Sequence, residues 1–216
     1  MKIIDLRTMR GPSYWSVKHH KLIVMKVDLQ DLADTWSNSV PALAEQLPKL
    51  LPELAQPQTG DLDKSSTKNP PLTEEQLADG EPLGYVILQV ALALQRTAGM
   101  PVIWGKSYPA HQEGVDFVVF CYQEERAGRV AAEAAVHIVE DLCKGQPVDL
   151  KPIIEELHEI REEEFFGPST YSIVAEAASR NIPYIQLKNS NIIQLGYGVN
   201  QKRIWATTTS YTSHAG

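Results

Sequence analysis

The period of apolar and polar positions changes several times along the chain, and each change marks an element. Lys2 to Met9 (KIIDLRTM) is a short β-rich run closed by the turn residues Arg10-Gly11-Pro12-Ser13. Lys21 to Leu29 (KLIVMKVDL) alternates as its partner should, because successive strand side chains point to opposite faces. Asp31 to Thr35 and Pro41 to Leu54 carry apolar residues at helical spacing. Pro41 suits a first helical turn, whereas Pro48 and Pro52 lack the amide hydrogen that a continuing helix needs and should shorten it. Leu83 to Thr97 (LGYVILQVALALQRT) is the most strongly apolar helix, ended by Gly99 and too short to cross a bilayer, so it predicts a core helix. Pro101 to Trp104 and Val115 to Tyr122 have strand character. Glu124 to Cys143 predicts a long Ala-rich amphipathic helix, and Leu150 to Glu164 another with an acidic outer face.

Gly167-Pro168 then breaks the chain. Ser169 and Thr170 are good N-cap residues for a helix through Ser179 whose inner face carries Ile173, Val174, Ala177 and Ala178. Pro183 to Leu187 and Asn191 to Leu195 read as strands, followed by a Gly196-Tyr197-Gly198 turn and a third extended run from Val199 to Thr207. Residues 1–160 therefore predict one domain of α/β (α+β) class, and residues 161–216 a second piece. Within the first, residues 56–82 are rich in Pro, Asp, Ser, Lys and Thr and predict a flexible loop, with a short helix at Thr73 to Ala78.

Composition narrows the function classes. The 216 residues are 43% hydrophobic, enough for a real core, and carry a formal charge of −7. A broad nucleic-acid footprint needs clustered Lys and Arg, so no nucleic-acid partner is expected. The start lacks the apolar run of a signal peptide, and no stretch approaches the roughly 20 apolar residues of a membrane span. The expectation is a cytoplasmic protein without a membrane partner. Cys121 and Cys143 lack metal-type spacing and read as buried small hydrophobes. The six histidines, His19, His20, His111, His137, His158 and His214, show no ligand spacing. Trp15, Trp36, Trp104 and Trp205 are so widely spaced that they read as core or interface anchors rather than a ligand cage.

Four motifs in order, GPST at 167–170, RNIP at 180–183, QLGYG at 194–198 and QKRIWAT at 201–207, resemble the start of the ATP-grasp module of the cyanophycin synthetase family. LRTMRGPSYWSVKHHKLIVMKVDL at 6–29 resembles the opening of that family's N-terminal domain, and ALALQRTAGMPV at 91–102 sits where the family carries a similar helix end. The resemblance covers most of the chain and is weakest over residues 37–82. It implies an N-terminal domain followed by a partial ATP-grasp first lobe.

The resemblance also implies an ATP-dependent ligase that builds a polymer with an Asp backbone and Arg branches. Such enzymes form acyl phosphates at carboxylates before the amide, the ATP-grasp module adding Asp and a following Mur-ligase-like module adding Arg. ATP and Mg²⁺ serve the complete family enzyme, because phosphoryl transfer needs Lys or Arg on the phosphates and acidic residues on magnesium. Gly216 comes before those elements, and neither GxxxxGK[ST] nor GxGxxG replaces them. The chain alone is thus expected to bind no cofactor, to hold no catalytic or metal-ligating residue, and to act as a scaffold or polymer-binding segment.

Ser169, Thr170 and Arg203 are the residues expected to meet substrate, with Ser169 holding the carboxylate end of the polymer and Lys202 adding positive charge. Simple N-capping is the plainer role for the hydroxyls. Expected partners are the Asp-Arg polymer or its primer, further copies in a homo-oligomer, or a full synthetase. One alternative is a free-standing assembly module that docks on a full synthetase. Another is a metal-dependent peptidase that trims the polymer, since many family members carry GHxxEHxxxE on the helix here written GYVILQVALA, residues 84–93. Tyr85, Leu88, Gln89 and Ala93 occupy its ligand positions and none is a good zinc ligand. GKSY at 105–108 stands where relatives tend to have GRTR, and Cys121 where they tend to have an acidic residue.

Overall fold

The computed structural model describes residues 1–17, 19–56, 71–164, 168–180, 182–187, 192–205 and 208–209. It divides into two units, Met1–Glu163 and Glu164–Gly216, each mixing helix and sheet.

The first unit is built on a four-stranded antiparallel sheet of order β1-β2-β4-β3, with β1 Lys2–Arg10, β2 Lys21–Asp28, β3 Gly105–Pro109 and β4 Val115–Cys121. Alternation along β2 and β4 sends Ile23, Met25, Val27, Val118 and Phe120 to one face, where they enter the main core. Two short helices, α1 Pro41–Glu45 and α2 Leu47–Leu50, and a 3-10 turn at Pro52–Leu54 share what an uninterrupted sequence would make one helix. Pro48 and Pro52 break it as their missing amide hydrogens require. Then come α3 (Glu74–Asp79), α4 (Leu83–Thr97), α5 (Glu125–Cys143) and α6 (Lys151–Glu164).

Helix α4 is apolar nearly all round and is buried accordingly: from Leu83 to Gln95 only Tyr85 escapes full burial. It packs on β3, β4 and α5. Small side chains make the close approaches possible. On α5, Ala127, Ala131, Ala132 and Ala135 face inward, and a Cβ on Gly128 would stand 2.7 Å from the Tyr122 Cβ. On β3, a Cβ on Gly105 would stand 2.4 Å from Leu88 Cδ1 and 2.8 Å from the Val119 carbonyl oxygen.

The strand expected at Pro101 to Trp104 lies one element later. Residues 101–104 lie outside any strand, with a tight turn at Pro101 closed by the Val102 N–H on the Met100 carbonyl at 2.8 Å, and the ladder begins at Gly105, the residue that pairs with Phe120. Proline at 101 supplies no amide hydrogen for a ladder, which favours the later start. Of the loop expected at 56–82, residues 57–70 lie outside the described residues, while the remainder is packed. Leu72 and Leu77 are fully buried, and α3 carries a capping box in which Thr73 and Gln76 each satisfy the other's backbone N–H. The buried Ser37 ties this segment down: its Oγ donates to the Leu77 carbonyl at 2.7 Å and accepts from the Glu81 N–H at 2.7 Å.

The second unit sets α7 (Pro168–Ser179) with a four-stranded sheet, β5 (Tyr184–Gln186), β6 (Ile192–Leu195), β7 (Lys202–Trp205) and β8 (Thr208–Thr209), paired antiparallel in that order. Val174, Ile193 and Ile204 form its small core, with Ile173, Tyr184 and Leu195 against them. Helix α7 starts at Pro168, so Ser169 and Thr170 stand inside its first turn rather than at the N-cap. Its buried residues are Thr170, Val174 and Ala177, spaced four and three apart, and Ala178 is exposed.

Two outcomes are expected from this packing. Gly105→Ala should lower stability by about 1–3 kcal/mol, the usual cost of forcing one extra carbon into a packed site, read as a fall in the urea-unfolding midpoint. Stability should also fall at alkaline pH. Burial pushes the Cys143 thiol from 9.0 up to about 11 and the Tyr122 phenol from 10.0 up to about 12. Both groups are neutral when protonated, so the folded state holds these protons more tightly than the unfolded chain. Their contribution is complete below pH 9 and is lost progressively as pH rises through about 11 and then 12. Urea midpoints measured from pH 8 upward should decline across that window, and Cys143→Ala should lessen the earlier part of the decline, to which the Cys121 thiol, also pushed up by burial, contributes as well.

Candidate functional site

Three places in the chain bear on function, and the first is α4. The positions that carry ligands in GHxxEHxxxE are here closed: Leu88 and Ala93 are fully buried, and Gln89 Nε2 donates to the Tyr85 hydroxyl at 2.8 Å. Two residues standing at histidine positions thus bond each other. Burial pushes the Tyr85 phenol up, with the Gln89 hydrogen bond opposing it. Among the described residues, no three His, Cys, Asp or Glu side chains converge as a metal-ligand group. A phenol, an amide and two hydrocarbon side chains do not fit zinc, which takes thiolate, imidazole or carboxylate. No hydrolytic step follows from this helix.

The nearby carboxylate of Asp116 has a structural partner. It accepts the Gly84 backbone N–H at the start of α4, and a Cβ on Gly84 would stand 2.1 Å from its Oδ2. Glycine is therefore what admits the carboxylate to one of the free amide hydrogens at the helix N-terminus. Desolvation outweighs that bond, so the Asp116 carboxyl sits above its ordinary value.

The second place is the start of α7. Ser169 is exposed there and Thr170 is buried. Arg203 pairs with Gln194 in the β6–β7 ladder, and its Nε donates to Gln194 Oε1 at 3.4 Å. Ile204, the next residue, packs with Val174 of α7, so strand alternation puts Arg203 on the face away from the helix and Lys202 on the helix side. The three expected substrate-binding residues are therefore not gathered on one side of this sheet. Magnesium–nucleotide binding does not fit residues 165–216 either, because their single carboxylate side chain, Glu176, pairs with Arg180 at 2.5 Å.

The third place is the open face of the first sheet. Two neighbouring cross-strand rows run across it, Arg7-Val24-Val119-Lys106 and Asp5-Lys26-Phe117-Tyr108. The segment between β1 and β2 adds Tyr14, Trp15 and His19. Trp15 stacks on Tyr108 with ring centres 5.7 Å apart and lies 5.2 Å from Phe117, while Tyr14 meets Trp15 edge-on at 5.6 Å. His19 stacks on Trp104 at 4.7 Å. Lys106 Nζ stands 5.6 Å from the centre of the Trp104 ring and Lys26 Nζ 6.0 Å from that of Phe117. Between them opens a groove of about 190 Å³ lined by Tyr14, Trp15, Trp104, Lys106, Tyr108 and Val119.

Sequence spacing concealed this surface. Trp104 is an anchor as expected, buried with Leu22, Val24 and Val119, but Trp15 and Tyr108 stand beside it as walls of a groove. The one usable signal was the parity of Lys106 and Tyr108, two residues apart on a strand and hence on one face. Which strands that face adjoins depends on pairing between β2 and β4 some ninety residues apart, and spacing does not report it.

The sequence profile of the cyanophycin synthase-like N-terminal domain family matches residues 24–144, from within β2 to the end of α5. Three proteins named cyanophycin synthetase are similar over essentially the whole chain. That of Crocosphaera subtropica is 38% identical over 215 residues, covering 98% of this chain and 24% of its own. That of Trichormus variabilis is 39% identical over 219 residues, covering 100% and 24%. That of Geminocystis herdmanii is 36% identical over 219 residues, again covering 100% and 24%. The chain therefore spans about a quarter of the length of these relatives. The profile match takes in the sheet's central strands and the helices packed on them, and by it the chain belongs to the cyanophycin synthase-like N-terminal domain family.

Proposed function

We propose that this chain is the N-terminal portion, or a shortened relative, of a cyanophycin synthetase, and that alone it binds polymer without elongating it. The observation that carries this reading is the similarity of 36% to 39% along 98% to 100% of the chain to proteins of that name. The full enzyme would be an ATP-dependent ligase of Asp backbone and Arg branches, with ATP and Mg²⁺ held by parts that the residues here do not supply. The helix and antiparallel sheet of the second unit support reading it as the first part of an ATP-grasp lobe. Within it Ser169, exposed in the first turn of α7 at the positive end of the helix dipole, would offer its hydroxyl to a polymer carboxylate. Thr170, buried in the same turn, would support that turn rather than reach the ligand, and Arg203 would meet a different part of the chain from the opposite face. The proposed setting is the cytoplasm, in a homo-oligomer or beside a full synthetase. Among the described residues no helix is long and apolar enough to cross a membrane.

The test is incubation of the purified chain with a short β-Asp-Arg primer, ATP, Mg²⁺, Asp and Arg. Primer should be retained in a pull-down at unchanged length by mass spectrometry. Ser169→Ala should weaken retention about tenfold, the effect of one hydrogen bond to a charged group. Elongation of the primer by the chain alone would overturn the non-catalytic reading, and absence of retention would overturn the binding one.

A further inference from the structure

The chain carries −7 overall, yet the first unit sorts its charges onto two unlike surfaces. On the open face of the sheet, the charged side chains of the two cross-strand rows are Arg7, Lys26 and Lys106 against the single carboxylate of Asp5. Asp5 pairs with Arg7 at 2.6 Å, so the surplus positive charge belongs to Lys26 and Lys106. Each ammonium already lies over a ring, Lys26 over Phe117 and Lys106 over Trp104. A second cation there would be repelled, so the complement of this face is a surface that brings carboxylates. Helix α6 has that character. Leu157 and Ile160 are buried and Ile153 and Ile154 pack on the main core, while Glu155, Glu159 and Glu162 are exposed. At about 3.6 residues per turn, those three glutamates form one stripe directly opposite the apolar side. Glu163, at the edge of the stripe, is held by Arg126 at 2.6 Å.

We infer that the acidic stripe of α6 in one copy of the chain docks on the open sheet face of another, its glutamates meeting Lys26 and Lys106. Spacing carries the match. Lys26 and Lys106 stand two strands and one cross-strand row apart, about 12 Å by ordinary strand and residue spacing. Glu155 and Glu162 lie seven residues apart on one helix, about 10.5 Å along its axis, and flexible lysine side chains span the remainder. The segment between β1 and β2 leaves Tyr14 95% and Val17 77% exposed beside this face, apolar area that a seated helix takes from water. The sheet, whose other face is already covered by α4 and α5, then has helices on both faces. The two patches are unlike surfaces, so each contact pairs one with the other and never like with like. Overall like charge opposes association, but physiological salt screens charges more than about 8 Å apart and leaves touching pairs in force. The inference rests on the homo-oligomer part of the reading above, to which it adds the two surfaces, and is independent of polymer binding.

The experiment follows the mass of the whole chain by analytical ultracentrifugation over a range of concentrations, for wild type and two charge-reversed variants. One variant carries Lys26→Glu with Lys106→Glu, the other Glu155→Lys with Glu159→Lys and Glu162→Lys. Wild type should self-associate at physiological salt and do so more weakly in about 0.5 M NaCl. Each variant alone should associate about tenfold more weakly, because like charges then face each other. An equimolar mixture of the two should recover wild-type association, since the acidic sheet face of one meets the basic helix of the other and the unchanged patches meet as well. Misfolding of either variant would not be rescued by mixing, so recovery assigns the effect to the contact itself. If wild type associates and both variants associate as tightly, the homo-oligomer reading stands and these surfaces are overturned. Association that 0.5 M NaCl leaves unchanged, or loss in each variant without recovery in the mixture, would overturn the pairing of these patches too. If wild type stays monomeric at every concentration, the homo-oligomer reading falls together with the inference.

Discussion

Helix α4 has almost no solvent face, and the first unit is arranged around that constraint. A helix buried from Leu83 to Gln95 must be covered on every side, and the sheet, α5 and the Pro52–Leu54 turn supply the cover. The Arg96 side chain shows how closely. Its Nη2 donates to the Glu53 carbonyl at 3.0 Å, while its Nε is buried without a hydrogen-bond partner and burial pushes the guanidinium below its ordinary value. Gln95 ties the helix to the sheet, its Nε2 donating to the Ala91 carbonyl of α4 and the Cys121 carbonyl of β4 at 3.3 Å each. Because α4 occupies one face of the sheet so completely, the aromatic groove of this unit lies on the other face.

The same constraint explains what became of the metal-ligand positions. A ligating helix must present polar side chains into a space that admits water and substrate. Here Leu88 fills the space beside Gly105, and Gln89 hydrogen-bonds to Tyr85, so that stretch contributes packing and not chemistry. On the opposite face Lys106 and Tyr108 take the outward positions of the adjoining strand while Gly105 and Ser107 take the inward ones. One short sequence, GKSY, therefore closes the helix side and equips the open side.

Much of this architecture was legible in the residues themselves. The period of the α4 and α5 segments, the alternation in β2 and β4 and the prolines at 48 and 52 act locally, and they placed their elements within a residue or two. The misplacements came where local signals compete. Pro101 to Trp104 looks like a strand but turns tightly at Pro101 and meets β4 only at Trp104, whose carbonyl accepts the Cys121 N–H, and Ser169 and Thr170 look like caps but follow a proline that already opens the helix. The groove was hidden for a different reason. Its members, Tyr14 and Trp15 on one segment and Trp104 to Tyr108 on another, meet only through the β1-β2-β4-β3 order, a non-local pairing.

We propose that α4 serves the first unit only as core and takes no part in holding polymer, which would meet the chain at Ser169. Hydrogen–deuterium exchange of the whole chain, with and without a β-Asp-Arg oligomer, tests it directly. The result expected is slowed exchange in residues 169–172 with no change across residues 84–93. Protection centred on residues 84–93, with residues 169–172 unaffected, would contradict it.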